Sequence, residues 1–241
     1  MDSGTLCEPH AYELWGGGGK YFDLGVNYYK IKDYAQAFKF FSKACERGDM
    51  RACHNVAVFY ANGQGVKQDD AKAFELFIKA CDGGYGDSCG VAGYMYYHGS
   101  TGVEKDLAKA RSYCEKGCEL NDAQSCANLG VLYEKAEGVK ENSTKALALY
   151  EKACGLNDGA GCDYAGALHV EKEQYSKARK FFEKGCELNN KLACYSLAIG
   201  YLNGEGVRQD YKKAKEFYGK ACDLGDQDGC EWYKKLRDAG Y

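Results

Sequence analysis

From Lys20 onward the apolar residues fall into two alternating stripes, both with the spacing of an α-helix. The first stripe is read backwards from a cysteine. Eight residues before it stands alanine every time, at Ala37, Ala73, Ala110, Ala146, Ala178 and Ala214. Four residues before it stand Phe41, Phe77, Cys114, Tyr150, Phe182 and Tyr218. Steps of four return to the same face of a helix, so alanine, aromatic and cysteine form one buried stripe on a helix we call B. Twelve residues before the cysteine stand Asp33, Asp69, Asp106, Asn142 and Asp210, with Gln174 the weak case. Asp and Asn oxygens accept the orphan N–H groups of a first helical turn, so these positions start helix B.

Three residues after the cysteine come Gly48, Gly84, Asn121, Asn157, Asn189 and Gly225, the residue types that accept a left-handed backbone at a helix end. The next residues, Asp49, Tyr85, Asp122, Asp158, Asn190 and Asp226, are mostly caps for a further helix, A. Helix A holds a second cysteine about one turn in. Three residues past it stand Val56, Ala92, Leu129, Ala165 and Leu197; four past it, only Ala or Gly; seven past it, Tyr60, Tyr96, Tyr133, His169 and Tyr201. Leu24, Gly25 and Tyr28 fit the same places in a first helix A without a cysteine. Most of these tyrosines are expected in the core.

The cysteine pairs set the period. Their first members, Cys45, Cys81, Cys118, Cys154, Cys186 and Cys222, are 36, 37, 36, 32 and 36 residues apart. A period of this size marks a repeat array. The Gly-rich turn closing helix A carries one extra residue at Gly99 to Val103 and is missing after Cys162, where Glu171-Lys172-Glu173-Gln174 runs straight on. These explain the long and short steps. The prediction is all-α: residues 1–19 as a leader or N-terminal arm, and 20–241 as one solenoid. Its repeats lie near 20–48, 49–84, 85–121, 122–157, 158–189 and 190–225, with a polar capping helix in 226–241. The leader contains Cys7, without a partner at the repeat spacing, and the run Gly16 to Gly19, a linker composition.

Composition changes the picture in two ways. A net charge of −3 with no basic run argues against nucleic acid as the main partner, and no apolar stretch is long enough to span a bilayer. Fourteen cysteines in 241 residues is heavy usage. Each pair has seven residues between its members, against two to four for structural zinc and two for a redox pair. Two cysteines four residues either side of the apex of a tight helical turn can face each other, as a disulfide requires. The expected pairs are Cys45–Cys53, Cys81–Cys89, Cys118–Cys126, Cys154–Cys162, Cys186–Cys194 and Cys222–Cys230, leaving Cys7 and Cys114 unpaired. Disulfides imply an oxidising space, so the protein is expected to be secreted or periplasmic. Residues 1–19 lack a basic start and apolar core, so an export signal is expected to have been removed.

The unit Ala214-x3-Tyr218-x-Lys220-Ala221-Cys222, with Cys194-x2-Leu197-Ala198-x2-Tyr201-x2-Gly204-x-Gly206-Val207, resembles the Sel-like repeats, cousins of the tetratricopeptide repeat. A cysteine pair in every unit resembles their cysteine-rich branch, the Helicobacter cysteine-rich proteins. The resemblance covers roughly residues 20–235. It implies a right-handed α/α superhelix with one disulfide per repeat, export, and interaction with proteins, host factors among them. It also implies, as the alternative function, weak penicillin binding or β-lactamase activity, with a β-lactam as ligand. Cysteine-rich relatives in the mitochondrial intermembrane space supply an alternative location. Cys114, His169 and the missing turn depart from the pattern.

The residues themselves give catalysis little support. No Ser-x-x-Lys occurs, although a serine β-lactamase needs a lysine three residues past its nucleophile. The four histidines, His10, His54, His98 and His169, form no metal-ligand spacing, and no cofactor or metal is expected. Cys114 occupies a core slot and reads as a buried thiol. In tetratricopeptide-like arrays helix A lines the concave face, which the places one, five and eight residues past the second cysteine should reach. That selects Tyr94, Tyr97 and Tyr195 first, with His54, Val131, Glu134, Ile199 and Leu202, as candidates for a groove that binds a protein or peptide segment. Val131, Ile199 and Leu202 have the competing role of packing neighbouring A helices.

Overall fold

The computed structural model describes residues 19–100 and 102–241; Cys7 and most of the expected leader lie outside the described residues. Thirteen helices follow one another among them. The A helices are α1 (Gly19–Lys30), α3 (Met50–Asn62), α5 (Gly86–His98), α7 (Ala123–Glu134), α9 (Gly159–Glu171) and α11 (Lys191–Asn203). The B helices are α2 (Tyr34–Glu46), α4 (Asp70–Asp82), α6 (Leu107–Glu119), α8 (Ser143–Gly155), α10 (Tyr175–Glu187) and α12 (Tyr211–Asp223). Helix α13 (Gln227–Asp238) closes the series, burying Leu236. Gly19, read from sequence as part of a linker, instead begins α1.

Each helix packs on the next in sequence, so the chain is an all-α solenoid of six helix pairs and a cap. From α5 onward the A helices also contact one another from pair to pair, more extensively than the B helices do. The closer-spaced layer lies on the inside of a curved stack, so the A helices form the inner layer.

The caps follow the chemistry of the residues. Asp33, Asp69, Asp106, Asn142 and Asp210 each accept a backbone N–H in the first turn of helix B. Gly48, Gly84, Asn121, Asn157, Asn189 and Gly225 all have positive φ, between 59° and 92°. Two expected cap positions make no side-chain cap, and both are otherwise engaged. Gln174 Oε1 meets His169 Nδ1 at 2.9 Å, and Tyr85 donates its hydroxyl to Asp87 Oδ2 at 3.0 Å.

Five disulfides each join a B helix to the A helix of the next pair, and the sixth, Cys222–Cys230, joins α12 to the cap α13, all across Cα–Cα distances of 4.5–4.7 Å. The residue before each cysteine is small on both sides: Ala44/Ala52, Ala80/Ser88, Gly117/Ser125, Ala153/Gly161, Gly185/Ala193 and Ala221/Gly229. At Gly185, a Cβ would lie 2.6 Å from that of Ala193, so a larger residue would force the helices apart. Ten of these cysteines are buried, while Cys222 and Cys230 are half-buried.

One feature of the tyrosine slot corrects the expectation of a core position. Tyr60, Tyr96 and Tyr133 are only half-buried, and each lies beneath a lysine from the following B helix. Lys72, Lys109, Lys145 and Lys213 stand 5.4, 5.1, 4.1 and 5.2 Å from the ring centres of Tyr60, Tyr96, Tyr133 and Tyr201. An ammonium over an aromatic face is attracted by the ring quadrupole while its stem covers apolar surface.

Removing one buried bridge, by Cys118→Ala with Cys126→Ala, should cost about 2–3 kcal/mol, the chain-entropy value for so short a loop. Denaturant melts of the double variant check this. Graded reduction, followed by alkylation and mass spectrometry, should open Cys222–Cys230 before the ten buried cysteines.

Candidate functional site

The inner layer carries the residues singled out from the sequence, and it does not treat them alike. Tyr94 is 55% exposed, and its ring centre lies 4.3 Å from that of His98. Tyr97 packs 4.7 Å from the same imidazole, and a hydrogen bond to Glu137 with burial pushes its phenol up to about 12. The three rings form one aromatic patch on the last two turns of α5. His98 was not selected from sequence, because it falls nine rather than eight residues past the cysteine; its i+4 relation to Tyr94 was the available signal.

The remaining candidates are held by the scaffold. His54 sits against Phe77 and Tyr85, with its Nδ1 2.9 Å from Ser88 Oγ, and burial lowers its pKa. Tyr195 packs on Tyr218 at 5.3 Å. Glu134 accepts the Tyr150 hydroxyl at 2.6 Å. Val131 packs beside Tyr150 and Leu168, and Ile199 and Leu202 beside the core of the last pairs.

Ser88 and His54 have the contact distance of a nucleophile and its base. Yet Ser88 has no exposed surface, so its hydroxyl meets no substrate in this conformation. Among the described residues no three His, Cys, Asp or Glu side chains are gathered as a metal site, and no helix is long and apolar enough to cross a membrane. Cys114 is buried, and desolvation pushes its thiol up to about 12, which removes the reactive thiolate. Asp163, one residue past Cys162, faces Ser196 Oγ at 3.5 Å, and burial pushes its carboxyl up to about 6.

The Sel1 repeat profile matches six times, at residues 11–49, 51–85, 88–122, 123–158, 161–190 and 191–226. The chain belongs to the Sel1 repeat family. It is 33% identical to cytochrome c oxidase assembly factor 7A of Xenopus laevis over 124 residues, covering 47% of this chain and 54% of that protein. It is 40% identical over 65 residues to HcpC of Helicobacter pylori, a protein named as a candidate β-lactamase, covering 27% of this chain and 20% of HcpC. The chain thus matches about half the length of the first relative and a fifth of the second. A Sel1 repeat protein from Oxalobacter formigenes superposes with a TM-score of 0.78 at 25% identity, covering 90% of this chain and 99% of that one. Paired cysteines throughout such an array fit an oxidising, extracytoplasmic compartment.

Two outcomes follow from the buried ionisable groups. Asp163 has a folded-state pKa above its unfolded value near 3.9, so the folded state binds the extra proton. Its stabilising contribution is complete below about pH 4 and is lost as pH rises through about 6. Asp163→Asn should therefore raise Tm at pH 7.5, with the gap closing by pH 4, as thermal melts across pH would show. Cys114 should resist alkylation at pH 8 in the native protein and react at once in denaturant.

Proposed function

We propose that the chain is a non-catalytic, disulfide-stapled scaffold that takes an apolar segment of a protein or peptide on its inner layer, at Tyr94, Tyr97 and His98. The observation that carries this reading is the exposure of Tyr94. Tyr94 is more open than the other exposed tyrosines of the described residues, Tyr241 at 41% and Tyr164 at 39%, and a tyrosine left half open on the concave side is the type of residue that anchors partners. Tyr195, Ile199 and Leu202 extend the same layer toward the C-terminal pairs. Residues 20–241 act together as one array in this reading, with 226–241 as its cap and 1–19 outside it.

The oxidising compartment is taken to be an exterior or periplasmic space, with the mitochondrial intermembrane space as the alternative suggested by the assembly-factor relative. A β-lactam ligand has the HcpC likeness in its favour, over a fifth of that protein.

The folded, oxidised chain should retain partners from a matching extract that a Tyr94→Ala/Tyr97→Ala variant of equal Tm loses, by affinity capture and mass spectrometry. Equal capture by both proteins would move the site elsewhere. Nitrocefin turnover abolished by one substitution would favour the β-lactam reading instead.

A further inference from the structure

Six residues past the second cysteine, helix A carries a large apolar residue: Phe59, Met95, Leu132 and Leu168, with Leu236 at the same place in α13. In α11 that place is Gly200. At the first junction, the corresponding Phe59 fills the space between pairs, with ring centres 5.9–6.4 Å from Tyr29, Tyr34, Phe38 and Phe41. The residues in those four places at the fifth pair are Val170, Tyr175, Arg179 and Phe182. All four line an open cavity of about 230 Å³, and Gly200 lines its other side. A Cβ built on Gly200 would meet only the Glu205 carbonyl, at 3.4 Å, so backbone crowding is no reason for a glycine here. The array itself thus shows what fits the space: a side chain of Leu, Met or Phe size.

The cavity continues into a second hollow of about 740 Å³, with Arg179 and Val207 common to both. That hollow is lined by Arg179, Arg208, Lys212 and Lys213 against one acidic side chain, Asp210. Asp210 is occupied as a helix cap, accepting the N–H groups of Lys212 and Lys213 at 3.0 Å. Arg179 gives its Nη1 to Glu183 at 2.9 Å, and Lys213 lies over the Tyr201 ring. On a chain of net charge −3, this is a local basic surface beside a mostly apolar hole, whose one acidic lining residue, Glu205, accepts a hydrogen bond from Asn203 Nδ2 at 3.1 Å.

We propose that the Gly200 cavity and the adjoining basic hollow form a docking site for an acidic partner segment bearing one Leu, Met or Phe. The apolar side chain takes the place that Phe59 and its counterparts fill from within, and the flanking carboxylates lie against Arg208 and Lys212. This rests on the interaction reading above but uses a different surface from Tyr94 and Tyr97.

The test is fluorescence anisotropy with a labelled Glu-Asp-Glu-Leu-Glu-Asp peptide, its Leu→Ala form, and its Gln/Asn form. The Leu peptide should bind, and loss of either the leucine or the charges should weaken binding at least about tenfold, the scale of burying one leucine. Raising salt should weaken it further. Gly200→Leu should keep or raise Tm and abolish binding, Arg208→Gln/Lys212→Gln should weaken it, and Tyr94→Ala/Tyr97→Ala should leave it unchanged. The proposal is overturned if no peptide binds, if Ala serves as well as Leu, or if Gly200→Leu binds as the natural chain does. A natural chain that sediments as a dimer and a Gly200→Leu chain that sediments as a monomer would also overturn it, by assigning the cavity to a second copy. Loss of binding in the Tyr94→Ala/Tyr97→Ala variant alone would return the site to α5.

Discussion

The structure depends on how closely one helix pair can approach the next. A unit of about 36 residues buries too little apolar surface to hold itself together, so its stability comes from the interface with its neighbours. Here that interface is made at a turn of minimal length. The B helix ends on a Gly or Asn in the left-handed conformation, an Asp or Asn usually starts the next A helix, and small residues let the backbones come together. The disulfide then joins two cysteines that the turn has already brought to 4.5–4.7 Å. Its main effect is on the unfolded chain, whose ends it restricts at every junction. The bridges therefore lie between pairs, where a solenoid is most exposed to local opening.

With each junction fixed in this way, individual positions can depart from the pattern without loss of the array. At His169 the tyrosine slot is filled by an imidazole. The ring instead bonds Gln174 and Glu151 at 2.9 and 3.0 Å and stacks on Phe181. The neighbouring shortened turn removes the usual cap, and Gln174 serves the histidine instead. At Cys114 the aromatic is replaced by a small apolar thiol. Gly93 faces it as Gly130 faces Tyr150 and Gly166 faces Phe182: a Cβ at Gly93 would lie 2.5 Å from the sulfur. The histidine is compensated by its surroundings. Gly200 has no such compensation, which is why it leaves an opening.

Most of the architecture was legible because each junction repeats the same few instructions. Cap, stripe, left-handed residue and cysteine occur at fixed offsets, so six copies average out the exceptions. The small residues before the cysteines recur just as regularly, but their role shows only in the closeness of the two backbones. The lysines over the tyrosines were harder to see, since they require knowing that a position nine residues before one cysteine faces a position seven residues past another. The site residues were hardest. His54 and Tyr94, one and five residues past their cysteines, fall on the same face of helix A by counting, yet one is wedged beneath the next pair and the other is open. That difference arises from Phe77, Tyr85 and Ser88 across the junction, which counting along one helix does not include.

Every junction is closed by its own pair of cysteines. Proteolytic mapping of the unreduced protein with the free thiols blocked tests this directly. It should yield six linked peptides, each joining cysteines eight residues apart, from Cys45–Cys53 to Cys222–Cys230. Blocked thiols at these positions, or a cysteine of one junction linked to that of another, would contradict it.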